Sequence, residues 1–224
     1  MNKLERFVAV IAPHHCLLCN AEGDVICAAC RQEIVPTPER CYKCRKATQN
    51  SLTCPICRKT SMLRHVWAVT DYDGIAKDVI KLLKFDGVRA AAEDLAAMMA
   101  RLPIEPNDVL AMYVVHIPTA TSRKRQRGYD QAELLAKALA KRLGLPHRPM
   151  LARVGHSRQV GAKRADRLTQ LQDAFRARYG ALPQNAHIIL VDDVITTGAT
   201  LEAAARVLKA AGARQVDAVV FAEA

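Results

Sequence analysis

A cluster of acidic and hydroxyl residues near the end of the chain could bind a ligand that carries both a phosphate and a diol. The sequence IILVDDVITTGAT at residues 188–200 joins four apolar residues to Asp192 and Asp193, and the pattern becomes helical from Ala199. Unpaired N–H groups and the positive dipole at a helix start attract anions. Threonine hydroxyls add donors, and Gly198 lets a ligand approach the backbone closely. We therefore predict a phosphate on the loop and hydroxyl groups on the two carboxylates.

Eight cysteines form a second chemical group, arranged as four C-x-x-C pairs. Each pair places two thiolates on one turn, and two pairs complete a closed, tetrahedral zinc site of the structural type. A disulfide framework would need a secretory signal, which is not seen, and four copies argue against a redox dithiol. We predict one or two structural zinc ions and favour sequential pairing over an interleaved cross-brace. The predicted ligands are Cys16, Cys19, Cys27, Cys30, Cys41, Cys44, Cys54 and Cys57.

The elements that must position these groups follow from hydrophobic periodicity. Predicted strands cover residues 67–72, 109–117, 188–191 and 215–222, with a candidate short strand at 148–154. Predicted helices cover residues 74–85, 90–102 and 133–143, and another begins near residue 199. Strands that alternate with helices predict an α/β fold with an open parallel sheet flanked by helices. A boundary near residues 61–65 would separate a cysteine module, residues 1–62, from the α/β domain, residues 63–224.

Positive charge is concentrated in two segments that follow predicted strands. The formal net charge is +11, and residues 118–131 and 152–167 together hold nine Lys or Arg and two Asp or Glu. Open α/β sheets bind ligands beyond the carboxyl ends of their strands, so we predict that these segments bind an anion. Lys81 and Lys84 are weaker candidates, because lysines also stabilise the C-terminus of a helix.

The first residues give little sign of a membrane or export segment. The short apolar run at residues 7–12 is too short for a membrane span or for the core of a signal peptide. We expect a soluble, cytoplasmic protein without membrane insertion.

Several of these motifs resemble known families. Residues 188–200 resemble the PRPP-binding motif of type I phosphoribosyltransferases, with an apolar strand, two acids and TTG-T. The sequences HIPTATSRKRQRGYDQAELLA, SRQVGAKRADR and LLKFDG, together with the C-x-x-C pairs, resemble the ComF/GntX family. Tyr129 and Asp130 stand where that family has Phe and Asn, and Ala162 stands where it has Leu.

The resemblance implies a type I phosphoribosyltransferase fold behind a double zinc ribbon. It also implies a role in natural competence or in the cytoplasmic handling of incoming single-stranded DNA, with PRPP, single-stranded DNA and competence helicase-type proteins as partners. Asp192 and Asp193 would hold the ribose hydroxyls of PRPP, directly or through Mg²⁺. The implied 5′-phosphate-binding residues are Thr196, Thr197, Gly198, Ala199 and Thr200. The implied pyrophosphate and flexible-loop residues are Arg123, Arg127, Gly128, Gln131, Arg158, Gln159, Lys163 and Arg167.

Two classes of function stay open at this point. One is a phosphoribosyltransferase, a pentosyl-transferring enzyme of nucleotide salvage with an unidentified acceptor. The other is a non-enzymatic nucleic-acid-binding protein that uses the fold as a scaffold. Basic segments suit both, because PRPP and single-stranded DNA are polyanions. Stacking platforms for bases are few, with Tyr113, Tyr129 and Trp67 as the candidates.

Overall fold

The computed structural model describes residues 14–16, 18–85, 91–104, 110–154, 174–178 and 184–224. Its strands are β1 (His14–His15), β2 (Glu22–Gly23), β3 (Val66–Asp71), β4 (Met112–His116), β5 (Leu151–Arg153), β6 (Phe175–Ala177), β7 (His187–Ile195) and β8 (Gln215–Glu223). Its helices are α1 (Ala28–Gln32), α2 (Pro55–Arg58), α3 (Gly74–Phe85), α4 (Ala91–Met99), α5 (Thr121–Arg127), α6 (Gln131–Leu143) and α7 (Ala199–Ala210).

Within the described residues, the central sheet has four strands in the order β3-β8-β7-β4, and every pairing between them is parallel. The apolar runs of β7 and β8 are buried, as expected for strands covered on both faces. The predicted α/β architecture is therefore confirmed. Strand β7 is longer than predicted: it continues beyond Val191 to Ile195, because residues 192–195 stay in register with β8 up to Ile195 beside Glu223.

Two apolar cores cover the two faces of this sheet. One contains Leu83 of α3, Leu95 of α4 and Leu139 of α6, packed against Ile189 and other residues of β7 and β8. The other contains Leu208 of α7 together with residues on the opposite side of the same strands. Each fully buried leucine contributes about 1.5–3 kcal/mol, so the helix packing holds the strand ends in fixed positions.

The segment at residues 118–131 differs from its prediction as a loop. Residues 121–127, TSRKRQR, form helix α5, which ends at Gly128 with a φ of 77°. Most of these side chains are exposed, and Arg, Lys and Gln are good helix formers even without an apolar face. The candidate strand at 148–154 is present as β5, and it pairs with β6, which the sequence did not predict.

Both parts of the cysteine module pack against the sheet domain. Pro36 forms an antiparallel bridge with Thr70 of the edge strand β3, and Leu52 forms another with His65. The proposed domain boundary lies between α2 and β3. Among the helices in the described ranges, none combines the length and the hydropathy that crossing a membrane requires.

Candidate functional site

The turn between β7 and α7 carries the predicted phosphate-binding residues. Thr196 and Thr197 are exposed, and Gly198 has a left-handed backbone with a φ of 75°. Gly198 is the N-cap of α7, and a glycine has no side chain to accept from the N–H groups of the first turn. An anion bound at this helix start would take the place of the missing cap. Ala199 N donates to Thr197 Oγ1 over 3.4 Å, and Thr200 lies in the first turn.

The two carboxylates lie on β7 just before this turn. Their charge and their hydrogen-bonding capacity are only partly satisfied by the described residues. Asp193 is buried, and its Oδ1 lies 3.0 Å from Lys84 Nζ. Its Oδ2 is also buried and has no hydrogen-bond partner among the described residues. The Asp192 Oδ1 accepts from the Asp193 N–H at 2.9 Å. Burial, and then the Asp193 charge, raise the pKa of Asp192 well above its ordinary value. Hydroxyl donors or a cation would therefore stabilise this pair.

Lys84 belongs to the site, whereas Lys81 does not. Lys84 comes from the last turn of α3 and reaches Asp193 across the sheet edge. Lys81 is exposed and pairs with Asp78 on the same helix. The sequence offered both lysines as equal candidates for the site. Only the packing of α3 on the sheet distinguishes them.

The segment that follows β4 and the Asp192 carboxylate border a candidate ligand crevice, because the charges of Arg123, Asp130 and Asp192 all act on the Arg153 side chain. Asp130 is buried and is the N-cap of α6, where its Oδ1 accepts from Glu133 N at 3.4 Å. It also accepts from the Thr119 N–H and hydroxyl, both at 2.9 Å. The Arg127 guanidinium donates to Gln131 Oε1 at 2.8 Å. Asp130 is thus used for positioning the segment, not for facing an incoming anion.

Three further side chains near this crevice were missed by the sequence analysis as site residues. Arg153 of β5 donates to the Pro118 carbonyl at 3.4 Å and lies over the Phe175 ring. Burial, and then the nearby Arg123 charge, lower the pKa of Arg153. His116, at the end of β4, and His147 have ring nitrogens 3.0 Å apart, and burial lowers the pKa of His116 to about 4. The one signal in the sequence for Arg153 was its position as the first base of the 152–167 segment.

The cysteines form two separate groups with sequential pairing, as predicted. In each group the four Sγ atoms lie within 4.8 Å of one another, and all eight cysteines are free thiols. Tetrahedral zinc with Zn–S bonds of about 2.3 Å separates its sulfurs by about 3.8 Å. Sγ–Sγ distances of 3.7 Å, 3.5 Å and 3.6 Å fit that geometry, so each group could hold one zinc ion. The first cysteine group is Cys16, Cys19, Cys27 and Cys30; the second is Cys41, Cys44, Cys54 and Cys57.

Backbone N–H groups favour the thiolate form of Cys16 in the first group and of Cys41 in the second. Although burial raises the pKa of the Cys16 thiol, N–H donors led by that of Cys27 lower it to about 6. Burial likewise raises the pKa of Cys41, and N–H donors led by that of Cys44 lower it to about 7. Since a thiolate is the form that binds metal, this donor set fits zinc.

Comparison with known proteins agrees with this arrangement. The phosphoribosyl transferase domain family matches residues 130–224. The competence protein ComFC of Bacillus subtilis is 28% identical over 221 residues, covering 86% of this chain and 88% of that protein. The DNA utilization protein YhgH of Salmonella typhimurium is 30% identical over 206 residues, covering 85% of this chain and 87% of that protein. The chain belongs to the ComF/GntX family. Its type I phosphoribosyltransferase fold and its two four-cysteine groups agree with that membership.

Among solved structures, an allosteric regulatory enzyme of purine biosynthesis is 20% identical to this ComF/GntX chain, with a TM-score of 0.46. The matched region covers 63% of this chain and 30% of that enzyme, so the chain spans about a third of its length.

The structure shows the role of Asp130 and the positions of Arg123 and Gly128, three residues of the ComF/GntX motifs. The family's Asn is Asp130 here, and both residue types can accept the N-cap hydrogen bond, which accounts for the exchange. Arg123 is exposed on α5, and Gly128 ends that helix. The remaining loop residues lie outside the described residues; they are Arg158, Gln159, Lys163 and Arg167.

Most of the aromatic stacking candidates of this ComF/GntX protein are internal. Trp67 is buried, stacks on His65 and donates from Nε1 to Asn50 Oδ1 at 2.7 Å. Tyr129 is also buried, and its hydroxyl donates to the Leu83 carbonyl. Of the three candidates, only Tyr113 is partly exposed, so Trp67 and Tyr129 are not placed to stack on a base.

Proposed function

We propose that this ComF-like protein binds PRPP with Mg²⁺ at Asp192, Asp193 and residues 196–200, and that it serves natural competence or the cytoplasmic handling of incoming single-stranded DNA. The observation that carries the proposal is the junction of two features. A carboxylate pair with a buried oxygen that has no partner in the described part of the chain precedes a helix start without a side-chain cap from those residues. A ligand with a diol at one end and a phosphate at the other could donate hydrogen bonds to the carboxylates and accept hydrogen bonds from the helix start.

The two ends of the ribose phosphate would meet complementary groups. N–H groups of the first turn of α7 and the hydroxyls of Thr196, Thr197 and Thr200 would donate to the 5′-phosphate. The ribose hydroxyls would donate to the carboxylates of Asp192 and Asp193. Lys84 would hold the Asp193 carboxylate in a fixed orientation. Binding in this way positions PRPP and leaves its anomeric carbon facing the crevice.

Magnesium suits the same residues. Mg²⁺ is usually bound by one or two carboxylates together with phosphate oxygens and retained water. The carboxylate pair offers such oxygens, and a divalent cation would offset the repulsion that raises the pKa of Asp192. When bound, the ion would supply charge neutralisation for the pyrophosphate of PRPP. Arg123, Arg127 and Arg153 would contribute positive charge near the site.

A second candidate function is direct binding of single-stranded DNA. It is favoured by helix α5, whose Arg123, Lys124 and Arg125 side chains are all exposed next to the crevice. The names of the relatives, a competence protein and DNA utilization proteins, suggest the same partner. In this case PRPP would be an effector on a binding scaffold and the protein would not be a transferase. Competence helicase-type proteins are the protein partners proposed with it.

Two measurements separate these possibilities. Calorimetric titration with PRPP and Mg²⁺ tests the site, and binding that requires Asp192 and Asp193 is the expected result. Release of pyrophosphate from PRPP, with candidate acceptors added one at a time, then tests for a phosphoribosyltransferase. Binding without pyrophosphate release would support the scaffold, and no binding would overturn the proposed site.

A further inference from the structure

A tyrosine between two cysteine ligands packs directly against the candidate PRPP loop. Tyr42 lies between Cys41 and Cys44 of the second cysteine group and is buried. A Cβ atom placed on Gly198 would lie 2.6 Å from Tyr42 Cε2 and 2.9 Å from Tyr42 Cδ2. The tyrosine ring therefore forms the back wall of the loop, and it leaves room only for a glycine.

Polar contacts hold the same cysteine turn to the first turn of α7. The Tyr42 hydroxyl donates to the Glu202 carboxylate and lies 2.8 Å from the Ser61 hydroxyl. The other carboxylate oxygen of Glu202 accepts from the Met62 N–H at 3.0 Å, and Lys43 Nζ lies 3.6 Å from Oε1. The N–H of Glu202 donates to the Gly198 carbonyl in the first bond of the helix. The second cysteine group thus touches the loop and its helix at two consecutive points.

The first cysteine group lies on the opposite face of the sheet. Cys16 and Cys30 are part of the core that includes α4, whereas Tyr42 belongs to the core that includes α7. The Ile26 N–H and the Arg31 guanidinium bind Asp94 of α4 at 3.1 Å and 2.7 Å. The two groups have the same ligands, but they support different parts of the domain.

We propose that zinc in the second cysteine group sets the affinity for PRPP, with Tyr42 as the positioning residue that transmits its presence to the loop. This inference rests on the proposed PRPP function. Four thiolates without their ion repel one another, so the turn that carries Tyr42 loses its fixed geometry. The loop then loses its back wall, and Glu202 loses the partner that orients the first turn of α7. Zinc in the first group has no such effect on PRPP.

Matched cysteine variants test the difference between the two groups. Cys19→Ser and Cys44→Ser each remove one exposed ligand, and metal analysis should show loss of about one zinc per chain from each. We expect Cys44→Ser to weaken PRPP binding by roughly tenfold or more, which is a usual size for coupling between two sites. Cys19→Ser should bind PRPP as the wild type does. Equal effects in the two variants would overturn the inference.

Thermodynamic linkage gives a readout that does not depend on these variants. If zinc in the second group strengthens PRPP binding, PRPP must strengthen zinc binding there by the same factor. At equilibrium with a chelator, we expect PRPP with Mg²⁺ to reduce the loss of one zinc per chain and to leave the loss of the other unchanged. Equal release with and without PRPP would contradict the coupling, provided that the wild type binds PRPP.

Variants of Tyr42 keep the test informative if Cys44→Ser does not fold. Tyr42→Phe keeps the ring and loses the bond to Glu202, whereas Tyr42→Ala loses both. PRPP affinity should fall in that order, and amide hydrogen exchange at residues 196–202 should rise in the same order. Ile56→Ala is the control, because Ile56 is exposed on the other turn of the second cysteine group, between Cys54 and Cys57. Tyr42→Ala with unchanged affinity would overturn the inference, whereas a wild type that binds no PRPP would overturn the proposed function itself.

Discussion

Lys84 and Asp193 form a largely buried ion pair, with Nζ and Oδ1 3.0 Å apart, between the end of helix α3 and the carboxyl end of strand β7. The Lys84 side chain is 20% exposed and that of Asp193 is 6% exposed. The pair brings one cation to two adjacent carboxylates before any ligand arrives. It therefore contributes both to the stability of the sheet edge and to the charge of the candidate site.

Replacing Lys84 should destabilise the fold. Lys84→Met leaves the Asp193 carboxylate buried without a cation, and removal of one partner from a buried pair costs about 3–5 kcal/mol. Urea unfolding measures this loss. Lys81→Met is the matched control, because Lys81 is exposed and an exposed pair contributes about 1 kcal/mol or less. Equal unfolding free energies for the two variants would show that the Lys84 pair is not a stabilising contact.

The contribution of Asp192 to the free energy of unfolding should fall as the pH rises. Burial and the Asp193 charge raise the folded-state pKa of Asp192, so the folded protein holds a proton that the unfolded chain releases at lower pH. The unfolding free energy contributed by this group is therefore fully present below about pH 4 and is lost as the pH rises through the folded-state pKa.

Asp192→Asn should be more stable than the wild type at pH 8, by an amount that shrinks towards lower pH. Denaturant unfolding at several pH values measures the difference. Because both proteins keep the same cysteines, metal loss affects both. A difference that grows as the pH falls would contradict the raised pKa.

Two different changes at the loop should abolish tight PRPP binding. Asp192→Asn combined with Asp193→Asn keeps side-chain size and removes two charged acceptors, each worth about 1.5–3 kcal/mol. We expect a weakening of roughly two orders of magnitude or more, at about 1.4 kcal/mol per tenfold. Gly198→Val should be equally damaging, because its side chain would collide with Tyr42 at a φ of 75°. Calorimetric titration measures both.

The control for these variants is Lys209→Ala in the last turn of α7, where the Lys209 ammonium donates to the Arg214 carbonyl. It should bind PRPP as the wild type does. Weakening of all variants alike would point to a general loss of folding and away from a specific loss of the site.

Reversing the charge of helix α5 should weaken single-stranded DNA binding. The triple variant Arg123→Glu, Lys124→Glu and Arg125→Glu removes three exposed cations. For single strands, the salt slope becomes shallower by about 0.7 for each phosphate that the protein no longer neutralises. Binding isotherms at several salt concentrations measure the slope.

A second triple variant makes the test specific to α5. Lys59, Arg148 and Arg206 are exposed bases elsewhere in the described structure, and their reversal to Glu changes net charge by the same amount. If both triple variants lose affinity equally, the DNA responds to net charge only. An unchanged slope in the α5 variant would move the DNA site elsewhere on the protein.

Metal content should match the two cysteine groups. We expect two zinc ions per chain in protein purified without chelator, because the eight thiols form two separate four-sulfur clusters. Elemental analysis measures the number, and mass spectrometry under non-reducing conditions detects disulfides. Disulfides without zinc would contradict the metal assignment.

The sequence by itself determined the groups whose chemistry is local. The C-x-x-C pairs, and the run from Asp192 to Thr200, place their reactive atoms within one or two turns of backbone, so spacing alone indicates what they can bind. The alternation of strands with helices also predicted the parallel sheet, and the continuous apolar run before Asp192 is typical of a strand buried on both faces.

The tertiary structure alone decided which distant residues join those groups. Lys84 enters the site and Lys81 does not, because the packing of α3 on the sheet turns only one of them towards Asp193. Asp130 also anchors the segment before α5, because the chain folds back to bring Thr119 within hydrogen-bond distance of it. Tyr42 reaches Gly198 only because the second cysteine group packs on the α7 face of the sheet. Local spacing cannot encode such contacts, since they depend on how separate elements share one core.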